Sequence, residues 1–216
     1  MNVLVTAGPT REPIDPVRFI SNRSTGKMGY ALARAAGAHG HDVVLLSGPT
    51  ALEPPQGVRC LRVTTADEML RAVSENLAWC DALVMAAAVA DWRPVRVADN
   101  KLKKRDGPPE IVLEPTVDIL SHIASTEGSR IVVGFAAETQ SIRENARRKL
   151  TNKHLDMIVA NDIARRDAGF EVDTNKVLLI EAGGKVHDLP LMSKDAVAAE
   201  IIRWLESAYD RGAQRR

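Results

Sequence analysis

The stretch FISNRSTGKMGYALARAAGAHG, beginning at Phe19, sets Asn22, Arg23, Ser24 and Thr25 directly in front of Gly26 and an alanine-rich helical pattern. A helix start offers unpaired backbone N–H groups and the positive end of the helix dipole, which suit a phosphate or a carboxylate. Asn22 adds an amide and Arg23 a cation at that end. The strand before it, NVLVTA, runs into TAGPT and places Gly8 where backbone can approach a ligand. The bland alternative is a surface loop feeding a helix capped by Ser24 or Thr25. The glycines at 8, 26 and 29 fit neither the dinucleotide fingerprint nor a P-loop.

Three further groups carry chemistry. In VMAAAVADWRP, the small side chains around Met85, Ala86 and Ala87 leave room for a flat ring on backbone. Asp91 beyond them can accept a bond from a base or ribose, hold a hydrated Mg²⁺, or simply cap a turn. In NKLKK, Lys101 and Lys103 point the same way if the chain is extended, a cluster able to neutralise a triphosphate and the charge that develops at its α-phosphorus. A solvated charge run is the competing reading. Phe135 ends another apolar run and can stack on a base. Lys149 and Lys153 are four apart on one helical stretch and share a face, either as a second anion clamp or as ordinary surface charge.

Other chemistries are missing from the sequence. Neither tyrosine, Tyr30 nor Tyr209, has the lysine four residues on that short-chain dehydrogenases need, and there is no GxSxG, HExxH or GxxxxGK[ST]. With 29 Lys plus Arg against 28 Asp plus Glu, the net charge of +1 argues against a nucleic-acid or membrane-surface partner. No apolar run approaches the roughly 20 residues of a membrane span, and the N-terminus reads as a strand rather than a signal peptide. Cys60 and Cys80 read as buried free thiols in a reducing, cytoplasmic setting. His39, His41, His122, His154 and His187 lack metal-ligand spacing.

Positioning these residues requires a frame. Apolar runs such as NVLVTA, DVVLLSG, DALVMAAAV, RIVVGFAAE and LDMIVAND alternate with helical patterns, the last of them SKDAVAAEIIRWLESAY. Near-continuous apolar strands between helices predict a Rossmann-like α/β fold, a mostly parallel sheet covered on both faces. KVLLIEAGGKVHDLP reads as a hairpin turning at Gly183–Gly184, an antiparallel edge. Residues from about 92 to 110 form a basic, proline-bearing loop after a strand's carboxyl end, where such sheets bind ligands. The expected organisation is one domain over 1–210 with a frayed tail at 211–216.

TAGPTREPIDPVRFISNRSTGKMG, AAAVADWRP, NKLKK, VGFAAET and LDMIVAND occur here in the order seen in the phosphopantothenate–cysteine ligases, which the chain resembles from Asn2 to about Trp204. The resemblance is to the ligase domain alone, without the flavin-dependent decarboxylase fused to it in many bacteria. It implies a dimer that joins 4′-phosphopantothenate to L-cysteine in coenzyme A biosynthesis, with CTP and Mg²⁺ and an acyl-cytidylate intermediate in bacterial members, and ATP in eukaryotic ones. It implies that Asn22 processes the intermediate and that Lys101 belongs to a mobile basic lid. It implies nucleotide contacts from Met85, Ala86, Ala87, Asp91, Val117, Asp118, Ile119, Leu120, Phe135, Lys149 and Lys153. The helix start, Asn22 to Gly26, would then take the phosphate or carboxylate of the acid substrate. Two rivals share the fold class, an NAD(P)-dependent oxidoreductase and a nucleotide-binding module without catalysis.

Overall fold

The computed structural model describes residues 1–216 apart from 105, 106, 108, 109, 127, 139, 163–166, 168 and 214–216. The chain runs β1 (Asn2–Ala7), β2 (Glu12–Pro13), β3 (Phe19–Ile20), α1 (Lys27–Ala38), β4 (Asp42–Ser47), β5 (Arg59–Arg62), α2 (Ala66–Asn76) and β6 (Ala82–Met85). It continues with β7 (Trp92–Pro94), β8 (Leu113–Pro115), α3 (Ile119–Ala124), β9 (Ile131–Glu138), α4 (Ile142–Asn152) and β10 (Met157–Asp162). It closes with β11 (Thr174–Asn175), β12 (Val177–Glu181), β13 (Val186–Asp188), β14 (Met192–Ser193) and α5 (Lys194–Ala213).

The main sheet has the order β13-β12-β10-β9-β6-β1-β4-β5. From β10 to β5 all pairs are parallel. Numbered along the chain, these parallel strands lie in the order 3-2-1-4-5-6 from β5 to β10, the doubly wound arrangement with its switch point between β1 and β6. The expected antiparallel edge is present: β12 runs against β10 and β13 against β12. Its turn places Gly184 at φ 87°, a left-handed conformation that favours glycine.

Apolar side chains fill two layers, one on each face. Val3, Val5, Val133, Met157 and Val159 meet α1 and α5 through Leu32, Ala36, Ile201 and Leu205. On the other face Leu4, Leu83, Val132 and Ile158 meet Met69 and Val73 of α2, Ile123 of α3, and Leu150 of α4. Alternate residues of one strand point to opposite faces, so β10 sends Met157 and Val159 to α1 and α5, and Ile158 to α3 and α4.

Helix α1 lies close on β1 because Gly29 faces the strand. A Cβ there would sit 2.5 Å from that of Ala7 and 2.8 Å from the Thr6 carbonyl oxygen. Gly29→Ala gains about 1 kcal/mol of helix propensity. It must also push the helix off the sheet, and overpacking costs about 1–3 kcal/mol. The net expectation is a destabilisation of up to about 2 kcal/mol, a melting temperature lower by up to about 8 °C at this chain length, readable by calorimetry.

Four expectations need correction. Neither Ser24 nor Thr25 caps α1: the cap position is Gly26, at φ 79°, with no side-chain cap bond. The Ser24 hydroxyl accepts from Gly26 N–H at 3.4 Å, ahead of the helix, while its own N–H donates to Asn22, and Thr25 donates to the Phe170 carbonyl. The tail is helical as far as Ala213, so the part expected to fray continues α5; 214–216 lie outside the described residues. The stretch 92–110 is not all loop. Its start, β7, pairs antiparallel with β8, and Val95 N–H reaches the Val112 carbonyl at 3.0 Å. Residues 105, 106, 108 and 109 of that stretch lie outside the described residues. Cys60 is only partly buried, whereas burial at Cys80 pushes its thiol up to about 11.

Candidate active site

A cavity of about 780 Å³ opens at the carboxyl ends of β6, β9 and β10, beside the switch point. It gathers Asn22, Ser24, Thr25 and Gly26 before α1, Met85 to Trp92 after β6, Pro115 to Leu120 at α3, Phe135 to Ala137 on β9, and Lys149 and Lys153 on α4. These segments are far apart in sequence, and the parallel order brings their ends together. A second depression, about 820 Å³ and lined by Cys80, Asp81, Arg130 and Tyr209, lies at the amino ends of β6 and β9 and contains none of the candidate residues. Ligands of open parallel sheets bind at the opposite end, so the carboxyl-edge cavity is the candidate.

Asn22 is fixed at both ends of its amide. Nδ2 donates to the Ala88 carbonyl at 2.6 Å and Oδ1 accepts from Ser24 N–H at 3.0 Å. One N–H of Nδ2 is thereby left for a ligand. The Ala86–Ala90 wall is itself pinned from below. Thr6 Oγ1 accepts from Ala87 N–H at 3.1 Å and Thr10 Oγ1 from Ala90 N–H at 2.9 Å, both threonines being fully buried. Gly8 supports this wall without lining the cavity, since its carbonyl accepts from Ala88 N–H at 2.9 Å. A Cβ on Gly8 would meet Thr50 at 2.9 Å, so the space expected for a ligand there is filled by the Thr50 methyl group.

The opposite wall carries cations. Lys149 and Lys153 both face the cavity, Lys149 in the last turn of α4 and Lys153 at its cap position. Lys153 is not free: its ammonium is bound to the Asp118 carboxylate and the Ser121 hydroxyl. Asp118 also caps α3, accepting from Ser121 N–H at 3.0 Å. Burial pushes the Asp118 carboxyl up, but the Lys153 and Ser121 hydrogen bonds outweigh it and hold it below the usual range. Asp91 lines the mouth. Its backbone carbonyl accepts from Thr116 N–H at 2.9 Å, and no hydrogen bond to its carboxylate occurs among the described residues.

Besides Gly8, two candidates do not reach the cavity. Arg23 is exposed and only loosely paired with Glu171 at 4.0 Å. Lys101 is exposed and absent from the cavity wall. The reason lies one residue on. Leu102 N–H donates to Asp15 Oδ2 at 3.1 Å and its carbonyl accepts from Arg18 at 2.9 Å, which ties the basic segment to the β2–β3 turn. Asp15 is 3% exposed, and the Arg18 guanidinium holds its carboxyl well below the usual range against the upward push of burial.

Residues 1–209 match the family model described as the DNA/pantothenate metabolism flavoprotein C-terminal domain. The chain belongs to this family. The coenzyme A biosynthesis bifunctional protein CoaBC of Bacillus subtilis (strain 168) is 49% identical over 203 residues, covering 94% of this chain and 50% of that protein. The chain thus spans about half the length of the curated relatives it matches. A crystal structure of the C-terminal domain of CoaBC is 42% identical with a TM-score of 0.84, covering 97% of this chain and 96% of that one. Cab2 in complex with phosphopantothenate-cysteine, at 18% identity and TM-score 0.80, shares the fold. The resemblance read from the motifs, and the fold that it implied, therefore stand.

Several residues of the site went unread in the sequence: Asn161, Gly169, Phe170, Asn175 and Lys194 also line the cavity, together with Lys27 of the helix start. A signal for Lys194 existed. With Val197, Ala198, Ile201, Ile202 and Leu205 it falls on one helical stripe, and it is 6% exposed. A lysine on an otherwise apolar stripe needs partners, since a buried ammonium is costly alone. For Gly169 and Phe170 no comparable signal existed, because the polar connection NDIARRDAGFEVDTN has no periodicity; residues 163–166 and 168 of it lie outside the described residues.

Proposed function

We propose that this chain is a CTP-dependent phosphopantothenate–cysteine ligase of coenzyme A biosynthesis. The observation that carries the reading is one cavity in which a fixed asparagine amide faces two lysines across an alanine-lined strand end. In the first step a carboxylate oxygen of 4′-phosphopantothenate attacks the α-phosphorus of CTP and pyrophosphate leaves, giving an acyl-cytidylate. In the second, the amine of L-cysteine attacks the acyl carbon, CMP departs, and the amide remains. Neither step calls for a protein nucleophile or a flavin. The first needs cations over the phosphates, and the second needs a donor for the carbonyl oxygen as charge builds on it.

Lys149, Lys153 and Lys101 are assigned to the phosphates, and Asn22 to the acyl carbonyl. Phe135, Met85 to Ala87 and Val117 to Leu120 are assigned to the nucleoside, and Ser24 to Gly26, with Arg23 at the rim, to the acid. Mg²⁺ is usually held by one or two carboxylates together with substrate phosphates. The wall fits that pattern. Asp91 is available for the ion directly or through water, whereas Asp118 is taken by Lys153. No cluster of three metal-ligating side chains occurs among the described residues, so such an ion would be carried largely by the nucleotide. The metal neutralises phosphate charge. The assembly is assigned as a cytoplasmic homodimer without nucleic-acid or membrane partners, and no helix among the described residues is long and apolar enough to cross a membrane.

Pyrophosphate release tests the reading. The expected result is release that requires both CTP and phosphopantothenate, proceeds without cysteine, and is weaker with ATP. Release that is equal with and without the acid sinks the ligase reading, and no release at all returns the site to a nucleotide-binding module without catalysis. Hydride exchange with NAD(P) in place of release favours the oxidoreductase.

A further inference from the structure

The connection from Gly169 to Asp173 crosses the front of α1 and is held by donors from two different helices. From the start of α5, Lys194 Nζ donates to the Gly169 carbonyl at 2.8 Å, to the Phe170 carbonyl at 3.4 Å and to the Val172 carbonyl. From the start of α1, Thr25 Oγ1 donates to the Phe170 carbonyl at 2.8 Å, and Lys27 Nζ to the Glu171 carbonyl at 3.2 Å and to Asp173 at 2.7 Å. Gly169 N–H donates to Asn175 Oδ1 at 3.3 Å. Gly169 sits at φ 133°, which favours glycine. Four successive carbonyls, 169 to 172, thus turn toward side-chain donors, and Gly169 and Phe170 become cavity wall beside Thr25 and Gly26.

We propose that Lys194 is a positioning residue for the ligase reaction: by holding these carbonyls it shapes the wall against which the acid substrate is seated. The inference rests on the ligase reading. Lys194 is the central tie of this connection because it spans three carbonyls while being almost wholly buried. Charge-assisted bonds of this kind are about twice as strong as neutral ones. Burial pushes its ammonium down to about 8, the Lys27 ammonium pushes the same way, and the Asp173 carboxylate opposes both. Asp195, the other charged group beside it on α5, is paired with Arg34.

The charge-assisted tie therefore weakens above pH 8, without this group's own contribution to stability falling with it. A lysine whose value falls from 10.5 to about 8 on folding binds fewer protons folded than unfolded between those limits, so its contribution to stability rises with pH there.

The test reads Lys194→Met against wild type by two measurements. One is hydrogen exchange of the 169–175 amides in the intact protein. The other is the split of kcat and KM for phosphopantothenate in CTP-dependent pyrophosphate release. The expected result is exchange faster by about tenfold, local opening without global loss, with KM raised by about tenfold and kcat within about threefold, since seating rather than chemistry is lost. In wild type alone, KM for the acid is expected to rise between pH 7.5 and 9.5 while the protein stays folded by circular dichroism, and this arm decides if the variant does not fold. Faster exchange with an unchanged KM, unchanged exchange, or a pH-independent KM in wild type overturns the proposal. If wild type shows no acid-dependent release at all, the ligase reading falls and takes this inference with it. If wild type turns over and Lys194→Met matches it, this inference alone falls.

Discussion

Asn22→Ala is expected to keep releasing pyrophosphate and to stop making the cysteine amide. The side chain lies between the loop before α1 and the Ala88 carbonyl, with one amide N–H left for a substrate oxygen. Removing one such preorganised donor from an acyl-transfer site costs about 10²–10³ in rate, roughly 3–4 kcal/mol of transition-state stabilisation. In the proposed scheme that loss falls on the second step, because attack at phosphorus places its new charge on phosphate oxygens rather than on the acyl carbonyl. The variant should accumulate acyl-cytidylate, visible by mass spectrometry after a quench, while product amide falls by about that factor. Asn22 also steadies the Ala88 carbonyl, so nucleotide affinity is the control. Amide formation at the wild-type rate would falsify the assignment.

Lys101→Gln is expected to fail earlier. The glutamine keeps a polar donor on a slightly shorter side chain and removes the charge. If Lys101 neutralises the triphosphate during displacement, pyrophosphate release should fall on the order of 10³-fold, the scale of a mobile cation at a transferring phosphoryl group. Nucleotide binding, measured by calorimetry, should change little, because Lys149 and Lys153 remain on the wall. The structure makes this prediction demanding, since Lys101 lies off the cavity and beside a tied residue. Acyl-cytidylate formation at an undiminished rate in Lys101→Gln would leave the segment as solvated charge. The matching check is Asp15→Ala, which unties Leu102 and should alter the same step while sparing nucleotide affinity.

How far the sequence carried depends on what each residue does. The parallel strands were legible because each is an apolar run with helical pattern on either side, and the edge hairpin because Gly183–Gly184 punctuates it. Short elements stabilised by pairing across distance were not. β7 and β8 have 18 residues between them, and nothing in WRP or LEP alone announces a partner. The helix start was misread because serine and threonine are good caps in general. Here Ser24 sits in the turn closed by Asn22, and Thr25 is used by the Phe170 carbonyl. Both are long-range or competing bonds that local propensity does not contain. Within the site, Asn22, Met85 to Ala87, Asp91, Val117 to Leu120, Phe135, Lys149 and Lys153 all reach one cavity, whereas Gly8, Arg23 and Lys101 do not line it.

The triple alanine after β6 now has a meaning in terms of clearance. The helix start assigned to the acid belongs to the layer of α1 and α5, and the lysines assigned to the phosphates belong to the layer of α3 and α4. A sheet is a partition, and two reactants carried by its two covering layers can touch only around its rim. Ala86, Ala87 and Ala88 are that rim, each with a single carbon beyond the backbone. A longer side chain there would act as a spacer between carboxylate and phosphorus, so that both substrates could still bind singly while the ternary complex could not close its reacting distance.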